Sequence, residues 1–167
     1  MHLALFNAAP DADARAIAAV WAAIPAWVDS VVAGRPYPSV DAAVDAAAAA
    51  STGWTRADLD AALAHHPRIG QKAAGTGAEA EASAREQASM AQASDDLASR
   101  MAAANAAYEQ RFGRVFLIRA AGRSPDEMLA EAQRRLGNGP DAEAAEALGQ
   151  LREIALLRLR QSLEDAP

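Results

Sequence analysis

Alanine constrains this chain more than any other residue. It recurs throughout, and residues 46–50 are all alanine. Alanine is the best helix former and gains little from a strand. Half of the residues are apolar (51%), yet aromatics make up only 5% and β-branched residues are thin. That mixture predicts an all-α protein whose helices pack closely. At 167 residues one domain spanning 1–167 is expected, large enough to bury a core without disulfides or metal.

Charge and cysteine content remove several classes of function. Sixteen basic residues stand against 22 acidic ones, for a net charge of -6 and a pI near 5.0, and neither sign forms a long block. Nucleic acid and anionic membrane are therefore not expected partners. Without cysteine there is no disulfide framework, thiol catalysis or thiolate ligation. Neither a signal-like N-terminus nor an apolar run of membrane-spanning length is visible, so the expected location is cytoplasmic.

Breaks and caps divide the chain into about seven to eight helices. The segment Ala8-Ala9-Pro10-Asp11 marks a helix start, with Ile17, Val20, Trp21 and Ile24 behind it and Pro25 expected to end it. A short helix around Trp27 and Val31 closes at Gly34, and Arg35-Pro36-Tyr37-Pro38 is an extended connection. Ser39 caps a helix over 40–50, and Thr55 with Asp58 forms a capping box. That helix runs out near His65, because Pro67 disfavours the α conformation at His66. Residues 67–77 read as a glycine-rich loop. One long helix is expected over 80–112, stopped by Gly113. Phe116-Leu117-Ile118 is an extended apolar run too short to found a sheet. Ser124-Pro125-Asp126-Glu127 opens a helix reaching Leu136, and the last helix covers about 141–163.

Polar residues on apolar faces are the candidates for chemistry. With about 100° per residue, Met90, Ser94, Leu97, Met101, Ala104, Tyr108 and Phe112 make one stripe of the long helix. Extended backwards, that stripe places Ser83, Glu86 and Gln87 within roughly 60° of its centre and Arg85 on the far side. On the last helix Leu148, Leu151, Ile154, Ala155 and Leu159 face inward. Arg158 lies among them and Arg160 points away. A buried guanidinium requires a partner, so a carboxylate from the protein or a ligand should meet it.

Each residue also has an ordinary structural reading. A histidine before proline can simply end a helix and bond a carbonyl, and an inward Glu86 can pair with Arg158. It is the combination of histidine, carboxylate, arginine, serine and amide that argues for a site. Metal binding has less support: adjacent His65 and His66 cannot both face one ion from a helix, and no metal motif accompanies them. No Gly-x-Ser-x-Gly elbow or phosphate-loop pattern is present either.

One pattern is more specific. His66-Pro67-Arg68-Ile69-Gly70, followed twenty positions after the histidine by Glu86 within Ser83-x-x-Glu86-Gln87, resembles the 2-oxo-4-hydroxy-4-carboxy-5-ureidoimidazoline (OHCU) decarboxylases of urate degradation. The likeness covers nearly the whole chain. It includes Phe6-Asn7, Trp27, Arg35-Pro36-Tyr37, Arg111-Phe112-Gly113, Phe116-Leu117-Ile118, Gly122-Arg123-Ser124, Leu136-Gly137-Asn138 and the stretch from Glu153 to Leu159. One departure is Pro25-Ala26-Trp27, where the family has an adjacent Pro-Trp.

The resemblance implies a compact all-α fold, usually a homodimer, with no metal or organic cofactor. It implies cofactor-independent decarboxylation of OHCU to (S)-allantoin. In it His66 is the catalytic imidazole, Glu86 its acidic partner and Arg158 the buried cation meeting the substrate. Pro67, Ser83, Gln87 and backbone groups near Ile118 are the substrate-binding set. The alternative is a non-catalytic helical module that binds a ureido or purine-derived ligand.

Overall fold

The structure, a computed structural model, describes residues 1–64, 68–70, 81–82, 88, 90 and 93–165. Among these residues eight α-helices occur and no strand: α1 (Leu3–Ala8), α2 (Asp11–Trp21), α3 (Pro25–Ala33), α4 (Val40–Ala50), α5 (Arg56–Leu63), α6 (Asp95–Phe112), α7 (Pro125–Arg135) and α8 (Pro140–Ser162). The 3-10 turn Ser51–Gly53 follows α4. The all-α expectation holds. The chain groups into two compact units, Met1–Asp58 with Arg152–Pro167, and Leu59–Leu151.

In the first unit the family landmarks turn out to be scaffolding. The Arg35 guanidinium donates to the Phe6 and Ala9 carbonyls at 2.7 and 2.8 Å and to Asp11 at 2.7 Å. It thereby satisfies carbonyls at the end of α1, which has no further turn to donate N–H groups to them. Asn7 and Tyr37 exchange a reciprocal pair: Asn7 Nδ2 donates to the Tyr37 carbonyl at 2.9 Å, and the Tyr37 amide donates to Asn7 Oδ1 at 3.0 Å. Trp27, 2% exposed, donates from its indole to the Ala47 carbonyl at 2.9 Å and meets Trp54 edge-on at 5.7 Å between ring centroids. The termini are tied by Leu3 N–H to Glu164 O at 2.8 Å and Glu164 N–H to Met1 O at 3.0 Å.

Helix boundaries follow local chemistry, with two corrections to the sequence reading. Pro25 opens α3 rather than closing α2. The helix before it stops at Trp21, and Ile24, which precedes the proline, takes extended angles (φ -113°, ψ 105°) as the N-cap. The expected helix over 80–112 is not continuous: α6 begins only at Asp95. Ser94 caps it by accepting the Leu97 amide at 3.3 Å, and Asp95 and Asp96 supply negative charge in the first turn. Ser94 is thus a cap and not a member of an interior stripe.

Other caps fall where expected. Ser39 accepts the Ala42 amide at 3.1 Å. The Thr55 amide donates to Asp58 at 2.8 Å while Thr55 Oγ1 accepts the Asp58 amide at 3.2 Å. Gly113 ends α6 with φ +70°, a left-handed conformation that suits glycine. At α7 the capping box is complete: the Ser124 amide donates to Glu127 at 2.7 Å and Ser124 Oγ accepts the Glu127 amide at 3.2 Å. Ser124→Ala should cost about 1 kcal/mol, readable as a lower urea midpoint. The Ser124 amide, then its hydroxyl, hold the Glu127 carboxyl below its ordinary range. A depressed carboxyl stabilises the fold above its unfolded-state value and loses that contribution as the pH falls through the folded value. Glu127→Gln and the parent should therefore converge in stability upon acidification.

The core of the second unit is aromatic and methionine-rich. Met101, Tyr108, Phe116, Ile118, Met128, Leu129 and Ala132 are all 3% exposed or less. Fully burying one such large side chain is worth about 1.5–3 kcal/mol. Tyr108 packs against Phe112 and Phe116 with ring centroids 4.7 and 5.2 Å apart. This cluster clamps the non-helical stretch 115–120 between helices, so the expected short apolar run is buried without belonging to a sheet.

Candidate active site

Of the residues singled out from sequence, His66, Pro67, Ser83, Glu86 and Gln87 lie outside the described residues, as does His65. The helical phasing that turned Ser83, Glu86 and Gln87 inward loses its basis, because it was projected through Ser94, where α6 begins. Ile118 and Arg158 are described.

Residues 68–70, directly after His66-Pro67, are held by two positions one turn apart on α6. Asn105, 4% exposed, donates from Nδ2 to the Ile69 carbonyl at 2.9 Å. Arg68 forms a bidentate pair with Glu109, whose Oε2 accepts from Nη2 at 2.7 Å. Glu109, first through this hydrogen bond and then through its charge, raises the Arg68 pKa. Ile69 is buried in the core of the second unit, and Gly70 takes φ +83°. Such a φ is natural for glycine and strained for other residues. A cleft of about 290 Å³ opens here, lined by Arg68, Ile69, Gly70, Met90, Asn105 and Glu109 among others. Asn105 Oδ1, buried on the same side chain, has no hydrogen-bond partner among the described residues. Asn105→Leu removes the donor to Ile69 and leaves that carbonyl unmade, so a loss of about 1–3 kcal/mol is expected on thermal unfolding.

Ile118 sits in the stretch 115–120 at 3% exposure. Its neighbours are tied down: Arg135 Nη1 donates to the Leu117 carbonyl at 2.7 Å, and the Arg119 amide donates to Gln150 Oε1 at 2.9 Å. Behind Arg135 lies a network that sequence reasoning did not single out. Arg135 (1% exposed) pairs with Glu143 (0%) through Nε at 2.9 Å and Nη2 at 2.5 Å. The Tyr108 hydroxyl donates to the same Glu143 oxygen, and Asn138 Nδ2 donates to the other at 2.7 Å. Burial, followed by the bond to Glu143, pushes the Tyr108 hydroxyl above its ordinary range and keeps it a donor. The missed signal was helical phase: Arg135 follows Met128 and Ala132 on one stripe of α7, and Glu143 precedes Ala147 on α8.

Arg158 belongs to the first unit. It is 8% exposed, as its place in the apolar stripe predicted, while Arg160 points outward to Asp41 at 2.7 Å. Arg158 Nη1 donates to the Val20 carbonyl at 3.0 Å, and this is not its only interaction. Among the described residues no group of three histidine, cysteine or carboxylate side chains is placed to hold a metal. No helix among them is long and apolar enough to cross a membrane.

The family model of OHCU decarboxylase matches residues 7–160. Among solved structures the chain is similar to an OHCU decarboxylase crystallised in the presence of (S)-allantoin. That likeness has 23% identity and a TM-score of 0.72, covering 86% of this chain and 94% of that one. It is also similar to an (S)-allantoin synthase, with 16% identity and a TM-score of 0.72, covering 98% of this chain and 54% of that one. The chain thus spans about half the length of the synthase. No curated protein sequence matches it. Structural likeness at these identities establishes the helical fold. The family model, reaching from Asn7 past Arg158 and across every landmark above except Phe6, establishes more: the chain belongs to the OHCU decarboxylase family.

Proposed function

We propose that this protein decarboxylates OHCU to (S)-allantoin, the last step from urate to allantoin, without a cofactor, as a cytoplasmic homodimer whose chain 1–167 works as one domain. The observation that carries the reading is the family match over residues 7–160, within which His66-Pro67 and Ser83-x-x-Glu86-Gln87 stand at the family's spacing. In this reading His66 is the acid–base group and Glu86 orients it and raises its basicity. Ser83, Gln87, Pro67 and the backbone at Ile118 hold the ureidoimidazoline ring.

The chemistry asks for such a set. Loss of carbon dioxide from a carbon bearing a hydroxyl and a ring nitrogen leaves a carbanion. The adjacent ring C=N must delocalise that charge, leaving an enol, and one face of the neighbouring ureido-bearing carbon must then receive a proton as the hydroxyl becomes the ring carbonyl. An imidazole transfers protons near neutral pH because its pKa lies close to working pH. Arg158 is assigned to orienting the ring. A cation gripping the ground-state carboxylate would stabilise the group that has to leave, and so oppose the reaction.

The test is to generate OHCU in situ from urate with the upstream enzymes and add the protein. OHCU should then decay at a rate proportional to protein concentration. Decay at the spontaneous rate at all concentrations would overturn the reading and favour a non-catalytic module.

A further inference from the structure

We propose that Gln150 is a positioning residue for ligand recognition, fixing the peptide groups of Ile118 as a donor–acceptor pair for a cyclic ureide. The inference rests on the reading that the backbone at Ile118 meets substrate. Two long-range bonds flank that residue. Arg135, locked by Glu143, holds the Leu117 carbonyl at 2.7 Å, and Gln150 of α8 holds the Arg119 amide at 2.9 Å. When a chain runs extended, a residue's N–H and C=O share one side and those of its neighbours take the other. Bonds to Leu117 O and Arg119 N then direct the Ile118 amide and carbonyl away from Arg135 and Gln150.

Ile118 is 3% exposed, and among the described residues neither its N–H nor its C=O takes a hydrogen bond. Buried peptide groups are nearly always paired. A ring in which N–H and C=O alternate offers the acceptor and donor that such a peptide requires. The two anchors differ in what they can tolerate. Arg135 is wholly buried beside Glu143, whereas Gln150 is half-buried and contributes one neutral oxygen, so it can be changed without stranding a charge.

Steady-state kinetics on OHCU generated in situ should separate three proteins: the parent, Gln150→Leu and Gln150→Glu. Gln150→Leu removes the acceptor and should raise KM about tenfold, the scale of one hydrogen bond, with the pH profile of kcat unchanged. Gln150→Glu keeps an oxygen at that place and should return KM to within about twofold of the parent. A Gln150→Leu KM within twofold of the parent, or equal losses in both variants, would overturn the inference while leaving the activity in place. A parent without turnover would overturn the proposed function as well. Amide hydrogen exchange on the parent gives a reading that needs no variant. Added (S)-allantoin should slow exchange at Ile118 and leave Arg119 unchanged, and an Ile118 amide indifferent to (S)-allantoin would contradict the proposal.

Discussion

His66→Ala is expected to lower turnover of OHCU by at least about a hundredfold, the smaller end of what a positioned acid–base group contributes. The variant should keep the far-UV circular dichroism of a helical protein. In the proposed mechanism this imidazole polarises the substrate as carbon dioxide leaves and then governs protonation of the enol. Removing it takes away an interaction made in the transition state, so kcat should fall more than KM rises. Residues 68–70 are anchored independently by Asn105 and Glu109, so the chain just beyond the substitution keeps its own bonds. Turnover within about threefold of the parent would exclude a catalytic imidazole.

The largest stability effect is expected from Glu143→Ala. Glu143 and Arg135 are 0% and 1% exposed, and the carboxylate also accepts from Tyr108 and Asn138. Its removal leaves a guanidinium buried without its counter-charge. Breaking a buried pair from one side costs about 3–5 kcal/mol, a large part of the whole stability of an ordinary domain. Chemical denaturation should show the midpoint falling accordingly. Exchanging both partners together, Arg135→Met with Glu143→Leu, should recover most of the loss, because no unpaired charge remains. A Glu143→Ala variant as stable as the parent would show that the buried pair contributes nothing. Arg135 also holds Leu117, so the double variant should restore stability more fully than it restores KM.

The fold was legible wherever a short signal governs its own turn. Ser39, Thr55, Gly113 and Ser124 mark helix ends through bonds that reach three or four residues, and sequence spacing captures those. Pro25 is ambiguous in sequence because proline both ends one helix and favours the first position of the next. Only the extended angles of Ile24 decide between the two roles. Ser94 is ambiguous in sequence because its spacing also fits an apolar stripe. The Asp95-Asp96 pair behind it was the sign of a cap, and the alanine background masked the break by making helix plausible on both sides.

The site was legible in a different way. Burial of Arg158 followed from helical phase alone, but its bond to Val20 joins positions far apart in the chain. The Arg135–Glu143–Tyr108 network likewise brings three helices together, so helical phase turns Arg135 and Glu143 inward but does not pair them. Trp27, Arg35 and Asn7 carried the family likeness yet prove to be structural, filling carbonyls and a peptide pair in the first unit. Motif matching locates them without distinguishing a scaffold residue from one that touches substrate. The roles of His66 and Glu86 rest on the family's motif and its spacing.

The most direct measurement is the handedness of the product. OHCU generated in situ should, with the parent protein, give (S)-allantoin at a rate that scales with protein concentration, followed by circular dichroism of the allantoin band. A proton delivered to one face of the ureido-bearing carbon requires that outcome. Racemic allantoin formed at the spontaneous rate in the presence of the folded protein would contradict it.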